Sequence, residues 1–439
     1  MKTKLYFVIT LLAFFALAAL PNSFAQGTLA QPSVRLVYFL PNDRPARPDR
    51  IEALRQLIKD AQEFYADEME RHGYGRKTFT IETDEDGEPV VHQIKGKFSE
   101  NHYYQTSSFW KVWDELPEHF DVFQHAYLVA LDLSHEDLDN GTAGGLAGHI
   151  FRPRDGGSLN MRGPEIITRG DELLGGLVII PSHGHNFERL GLTAHEIGHA
   201  FGLEHDFREG RNSDYVLAGA AQNRLSECAA EWLSVSRFFS NNPVSNNSPG
   251  DIQLISAPTY SAEGVSIGFE ITDADGLHQA QLLVPEISQH RPLGPYRLFG
   301  CKKLNGETNT IEFISDALIV EPVNRITLQI IDVNGYITWA TFLVDIASLL
   351  PPSKVVSIPD PNLGSAIRTQ LGLAPRDAIT DQAMKRISSL SLDEGGINNL
   401  TGLEYATQLE TLFLGKNQIK SYKPLAELPK LTVCSATIY

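Results

Sequence analysis

Cysteine is scarce in this chain: three stand in 439 residues, at Cys228, Cys301 and Cys434. Three cannot build a disulfide framework, and an odd number allows at most one intramolecular bridge. Positive charge is also short. Lys and Arg total 37 against 54 Asp and Glu, for a net charge of -17. A surface this acidic excludes nucleic-acid binding as the main role, because that needs basic side chains to neutralise phosphates. Long apolar runs are missing after the first twenty residues. No later stretch approaches the ~20 apolar residues that a membrane-spanning helix requires. Methionine occurs only four times, with none between Met161 and Met384.

What is present begins with a secretory signal. Lys2 and Lys4 precede an apolar run over 5–20, and Ser23 and Ala25 are small residues at the positions a signal peptidase reads. Cleavage after Ala25 removes two positive charges and no acidic ones, so the net charge moves from -17 to -19. The expected location is secreted or extracellular, in a bacterium periplasmic or at the cell surface. The remaining chain, about four hundred residues, is too long for one core, so several domains are expected.

Periodicity changes three times along the chain. In 33–240, helices alternate with strands, which predicts an α/β domain. Residues 34–40 read as a buried strand and 48–72 as an amphipathic helix stopped by Gly73. Two short strands at 78–83 and 90–94 flank Asp86-Gly87 as a hairpin. A short helix is expected over 109–116, and strands over 126–133 and 177–180. A glycine-rich loop at 141–148 comes before His149. A further helix is expected over 187–202 with Asn186 as its N-cap, and another over 226–235 packed against it. Residues 241–250 are a linker by composition. In 251–348, short alternating runs separated by turns predict an all-β, immunoglobulin-like sandwich. A second linker at 349–353 leads to 354–439, where a helical cap over 358–373 precedes leucine-rich repeats. Leu390, Leu392, Ile397, Leu403 and Leu409 recur 22 residues later as Leu412, Leu414, Ile419, Leu425 and Leu431, with Asn417 at the turn. A third repeat opens and is not completed, so the array is expected to be degenerate or truncated.

The chemistry lies in the segment 193–207, TAHEIGHAFGLEHDF. His195 and His199 are four apart, so on a helix both imidazoles share one face and can reach one ion. Gly202 lets the backbone turn out of the helix and return His205 as a third ligand. Three neutral imidazoles and a water make a tetrahedral zinc site with an open position. Zn²⁺ lowers the pKa of that water toward ~7. Glu196 stands beside the site as general base, taking the water's proton and passing it to the leaving amine.

The full H-E-x-x-H-x-x-G-x-x-H spacing is far more specific than its first five residues alone. On His195, Glu196, His199, Gly202 and His205 the chain resembles the metzincin zinc peptidases. Asp206 is the residue type that follows in the adamalysin-like and snapalysin-like branches. The resemblance covers about 34–239. It implies a metalloendopeptidase with a cleft across the domain and an extended polypeptide substrate along an edge strand, for which 177–180 is the candidate. No cysteine precedes the zinc segment, so latency through a propeptide thiol is not expected. The chain departs from the family at one place. Metzincins carry a methionine in a tight turn beneath the zinc, and the corresponding segment 213–219 (SDYVLAG) offers Leu217. Leu and Met are close in volume, so an apolar floor is expected to survive. Tyr215 is weighed as an oxyanion donor against a packed turn residue.

Other candidates are weaker. His183 and His185 lack a carboxylate cluster and read as a loop near the cleft. Cys228 reads as a buried, inert thiol. Asp84, Asp86 and Glu88 read as a solvated turn. The expected function is a secreted zinc metalloendopeptidase, with the sandwich and repeats holding a protein or matrix partner. The alternative is an adhesion or binding module whose peptidase domain is weak and whose zinc is structural.

Overall fold

The structure is a computed structural model. It describes residues 32–439 apart from 106, 123, 142–143, 154–168, 188, 209–213, 219–223, 241–248, 262, 286–295, 316–317, 319–324 and 436–439. The expected signal segment 1–25, Met161 and most of the expected first linker therefore lie outside the described residues. Among the described residues no helix is long and apolar enough to cross a membrane.

Among the described residues the chain is mixed α/β with three sheets. Strand β1 (Ser33–Leu40) is the apolar run read from sequence and is buried on both faces. It leads into α1 (Pro48–Arg71), where proline at the first helical position costs no hydrogen bond. The helix buries Leu54, Leu57, Ile58, Ala61, Tyr65 and Met69 as one stripe. Gly73 ends the segment in the left-handed region, at φ 85°.

The two short strands beyond it, β2 (Thr80–Ile81) and β3 (Val91–Lys95), do more than form a hairpin. The tight turn is there, with Asp84 accepting from the amides of Asp86 and Glu88. Both strands, however, also lie parallel to β1. Helices α2 (Glu100–Tyr104) and α3 (Ser108–Trp113) cover one face of the sheet. Strands β4 (Ala126–Leu131), β5 (Leu146–Pro153) and β6 (Arg169–Pro181) follow. The strand β6 runs parallel to β4 and antiparallel to β5. The glycine-rich stretch thus passes into a strand at Leu146, where a loop was expected.

After the short helix α4 (Gly184–Phe187) comes α5 (Leu190–Ala200), and then α6 (Glu227–Val235). The helix α5 starts later than its apolar pattern suggested. Asn186 does not cap it; its side-chain amide donates to Glu136 O and to Asp137 Oδ1 at 2.8 Å. The helices α1, α5 and α6 bury their apolar faces with one side of the sheet, around Tyr65, Phe79, Phe201 and Trp232. A polar knot ties the β1 and β4 ends together. Buried Asp132 accepts from Arg44 at 2.6 Å, from Arg47 at 3.1 Å and from the Tyr38 hydroxyl. Burial and the Asp132 carboxylate push the Tyr38 phenol up to about 12.

The 251–348 segment contains β7 (Asp251–Leu254), β8 (Thr259–Ser261), β9 (Gly264–Thr272), β10 (Leu277–Pro285), β11 (Tyr296–Lys303), β12 (Thr308–Ser315), β13 (Arg325–Asp332) and β14 (Ile337–Leu343). They form two layers around an apolar core that includes Phe269, Leu282, Phe313 and Leu328. One layer is β12, β9, β7 and β8. The other, in order β11-β10-β13-β14, is not closed off. Strand β14 pairs antiparallel with β6 through Ile337↔Asp171, Thr338↔Gly170 and Trp339↔Arg169. The result is one ten-stranded sheet running through both regions. Cys228 is no free thiol: it bonds Cys301, fastening α6 to β11 with a Cα–Cα distance of 6.2 Å.

The last region has its helix at Pro361–Leu371, capped by Asp360. Three short parallel strands follow, β15 (Ser389–Ser391), β16 (Thr411–Phe413) and β17 (Val433–Ser435), in register Leu390↔Leu412↔Cys434. The 22-residue spacing is thus one strand-to-strand step. Asn417 does what its place in the repeat requires. Its amide donates to Leu392 O at 2.7 Å and its carbonyl accepts from Ile397 N at 2.9 Å.

Candidate metal centre

The histidine helix α5 is placed by contacts along its whole length. The Tyr65 hydroxyl of α1 donates to Ala194 O at 2.8 Å, and the Trp232 indole of α6 donates to Phe201 O at 2.9 Å. The helix ends in a glycine cap. Gly202 sits at φ 85°, its amide bonds His199 O at 3.0 Å, and Leu203 N reaches back to Gly198 O at 3.0 Å. That pair of bonds defines the Schellman turn. The turn sends the chain back across the helix end, so the third histidine faces the first two.

His195, His199 and His205 come together. Their ring centroids lie 4.8, 5.3 and 4.8 Å apart, and one ligand atom from each falls within 4.8 Å of the others. Backbone carbonyls set the tautomers. His195 Nδ1 lies 2.6 Å from Val216 O and His199 Nδ1 lies 2.8 Å from Leu203 O. A carbonyl only accepts, so both Nδ1 atoms carry the proton and both Nε2 atoms present lone pairs. Those two lone pairs face each other at 3.1 Å. Two acceptors at that distance repel unless a cation lies between them. Nitrogens about 2.0–2.1 Å from a tetrahedral zinc ion are separated by about 3.3 Å, close to what is seen. The donor set therefore fits a divalent metal ion.

Glu196 is buried at 8 % exposure beside these rings. Gly145, just before β5, lies directly against it. A Cβ at that position would stand 2.7 Å from Glu196 Oε1 and 2.8 Å from its Cγ. Only a residue without a side chain leaves room for the carboxylate there. The floor of the site is the turn 214–218. Ala218 N bonds Tyr215 O at 2.8 Å, and Val216 N bonds Arg224 O at 2.7 Å. Leu217, buried at 2 % exposure, touches the helix at Gly198, between the first two histidines. Asp206 is also buried. Its amide bonds Leu217 O at 3.3 Å, and its carboxylate takes Arg208 as a fork, at 2.8 and 2.7 Å. It locks the exit of the ligand loop to the floor turn. Tyr215 is half-buried and close enough to Arg71 to help raise that guanidinium's pKa, after Glu68.

Among the described residues no other histidine candidate joins the triad. His183 and His185 belong to no ligand cluster found among the described residues, and the His149 side chain lies outside them. Asp273, Asp275 and Asp332, in two neighbouring turns of the β region, form a second group with ligand atoms close together. Asp273 and Asp332 accept amides of their own turns, from Asp275 and from Asn334 and Tyr336. The expected edge strand is corrected: 177–180 is the interior of β6, paired on both sides, and β5 is the outer strand there. Sequence reasoning did not single out Gly145, Glu204, Tyr65 or strand β11. Gly145 had a faint signal as one of a glycine pair; the others had none.

Comparison with known proteins adds likeness at low similarity. No protein-family model matches the chain, and no curated protein matches it. Among solved structures, wild-type OgpA from Akkermansia muciniphila is 18 % identical, with a TM-score of 0.49 over 72 % of this chain and 94 % of that one. Catalytically inactive OgpA in complex with an O-glycopeptide substrate, glycodrosocin, gives 18 % identity and a TM-score of 0.48, over 71 % and 92 % of the two chains. An internalin C2 from Listeria monocytogenes is 34 % identical over 18 % of this chain and 35 % of its own, with a TM-score of 0.18.

Proposed function

We propose that the protein is a secreted zinc-dependent metalloendopeptidase. The observation that carries this reading is the convergence of His195, His199 and His205 with Glu196 alongside. The tautomers of His195 and His199 are set by Val216 O and Leu203 O so that their Nε2 lone pairs turn inward. A zinc ion held by these three imidazoles would supply Lewis acidity, polarising the scissile carbonyl and acidifying water. A purely structural site has no use for a buried carboxylate beside its ligands. Glu196 accepts the proton of the attacking water and delivers it to the departing amine nitrogen. Gly145 keeps the carboxylate in place, and Leu217 with Asp206 holds the floor on which the ligand helix rests.

The substrate in this reading is extended polypeptide. Strand β5 continues from Gly145, so a peptide pairing along its outer edge would pass Glu196. Tyr215, half-buried in the floor turn, is read as a turn residue.

Hydrolysis of a quenched, unstructured protein substrate by the chain from Gln26 tests the proposal. Cleavage should be abolished by a zinc chelator and fall by about 10²–10⁴-fold in Glu196→Ala, the usual worth of a general acid–base. Cleavage that survives both the chelator and the substitution would exclude this chemistry.

A further inference from the structure

The third metal ligand does not stand on the histidine helix, and its support comes from an unexpected direction. His205 N donates to Tyr296 O at 3.2 Å, and Leu298 N donates to His205 O at 2.8 Å. Beside them Tyr296 N donates to Glu204 Oε2 at 3.0 Å, and Glu204 is only 7 % exposed. Residues 204 and 205 are thereby docked on β11, a strand of the β region beyond the first linker, as a one-residue extension of its ladder. The strand is itself fastened. Cys301 of β11 is bonded to Cys228 of α6, and Lys303 of β11 pairs with buried Glu231 of α6 at 2.8 Å. Buried Gln279, on the neighbouring β10, donates to Cys228 O at 2.9 Å. Helix α6 returns to the histidine helix through Trp232 and Phe201. The contacts form a closed circuit: α5, His205, β11, the disulfide, α6, and α5 again.

We propose that β11 is the element that presents His205 to the metal, with Glu204 as a positioning residue and the Cys228–Cys301 bond holding the strand in place. The inference rests on the reading of the three histidines as a metal site. It makes the β region part of the metal centre, where sequence had suggested a module for partners. It also ties the centre to an oxidising compartment. Closing the bridge passes two electrons and two protons from the thiols to a disulfide-bearing oxidant. Until that happens β11 is held to α6 without its covalent link.

The test is Zn²⁺ affinity, measured by competition with a chromophoric chelator on the chain from Gln26. Glu204→Ala should weaken binding by about 10–100-fold, the usual effect of losing an outer-shell partner. Glu204→Gln keeps an oxygen for the Tyr296 amide and should stay near wild type. The paired Cys228→Ser and Cys301→Ser variant should weaken binding as Glu204→Ala does, with metal-free circular dichroism unchanged. Amide exchange on the unaltered protein gives a readout that needs no variant: Zn²⁺ should slow exchange at 296–298, some ninety residues from the histidines. Wild-type affinity in Glu204→Ala, equal losses in the Ala and Gln variants, or no protection at 296–298 overturns the proposal. Wild-type protein that binds no Zn²⁺, or binds it unchanged after His195→Ala, overturns instead the metal-site reading beneath it.

Discussion

Replacing Gly145 by alanine adds one methyl group directly against Glu196. The new Cβ would stand 2.7 Å from Glu196 Oε1, 2.8 Å from Cγ and 2.9 Å from the carboxyl carbon. Ordinary carbon contacts begin near 3.5 Å, so roughly 0.6–0.8 Å must be found. Swinging the carboxylate tip alone is not enough, because Cγ is as close as Oε1. The Glu196 side chain has to move as a whole, or the start of β5 has to lift. A shift of about 1 Å in a catalytic group costs about 10²-fold in rate. Gly145→Ala is therefore expected to lower kcat about 10²-fold while leaving zinc affinity within a few-fold, since the three nearest atoms all belong to Glu196. The assay is steady-state cleavage of a quenched peptide beside a zinc titration. A double-variant cycle sharpens it: with Glu196→Ala already in place, adding Gly145→Ala should cost almost nothing more. Full activity in Gly145→Ala, or independent losses in the double variant, would refute the idea that Gly145 acts through Glu196.

Three further outcomes follow from the packing. Leu217→Met, a volume-conserving change, should cost under about 1.5 kcal/mol, whereas Leu217→Ala should cost about 2–5 kcal/mol, both read from denaturant unfolding. Asp132→Ala strips the shared partner from Arg44 and Arg47 and should destabilise by about 3–5 kcal/mol in the same assay. His125 is buried, and burial followed by the nearby Arg35 charge pushes its pKa down to about 4 from 6.5. Its neutral ring accepts from Ser33 N at 3.2 Å. Because the folded value is depressed, this contribution is complete above about pH 6.5. It falls by at most about 1.4 kcal/mol per unit as the pH drops toward 4, where the loss levels off. His125→Gln should flatten that part of the pH–stability curve relative to wild type; identical curves would remove His125 as its cause.

The sequence was most readable where one local signal decided the structure. The stripe from Leu54 to Met69 can only face a core, and α1 follows it almost to the residue. The 22-residue spacing fixed the register of β15, β16 and β17 because each repeat stacks only on its neighbours. The spacing of His195, His199, Gly202 and His205 encodes a helix and its glycine cap, so the triad was legible too. What stayed hidden depends on partners distant in sequence. Half of β6, RGDELLGG, is too polar to read as a strand; it is made one by β5 and β14 on either side. Strand β11, YRLFGCKK, mixes charge and glycine into its alternation, and its hydrogen bonds to residue 205 run between backbone atoms, which leave no mark in side-chain pattern. With three cysteines, the pairing of Cys228 with Cys301 was one of three possibilities, and only the meeting of α6 with β11 selects it.

The most direct check on the account is a stoichiometric one. Metal-free protein is titrated with Zn²⁺ while cleavage of a quenched polypeptide is followed. The account predicts activity that rises linearly and saturates at about one equivalent, with His205→Ala failing to reach it. Cleavage that is complete before any zinc is added, or one tightly bound equivalent that brings no cleavage across a broad peptide pool, would contradict it.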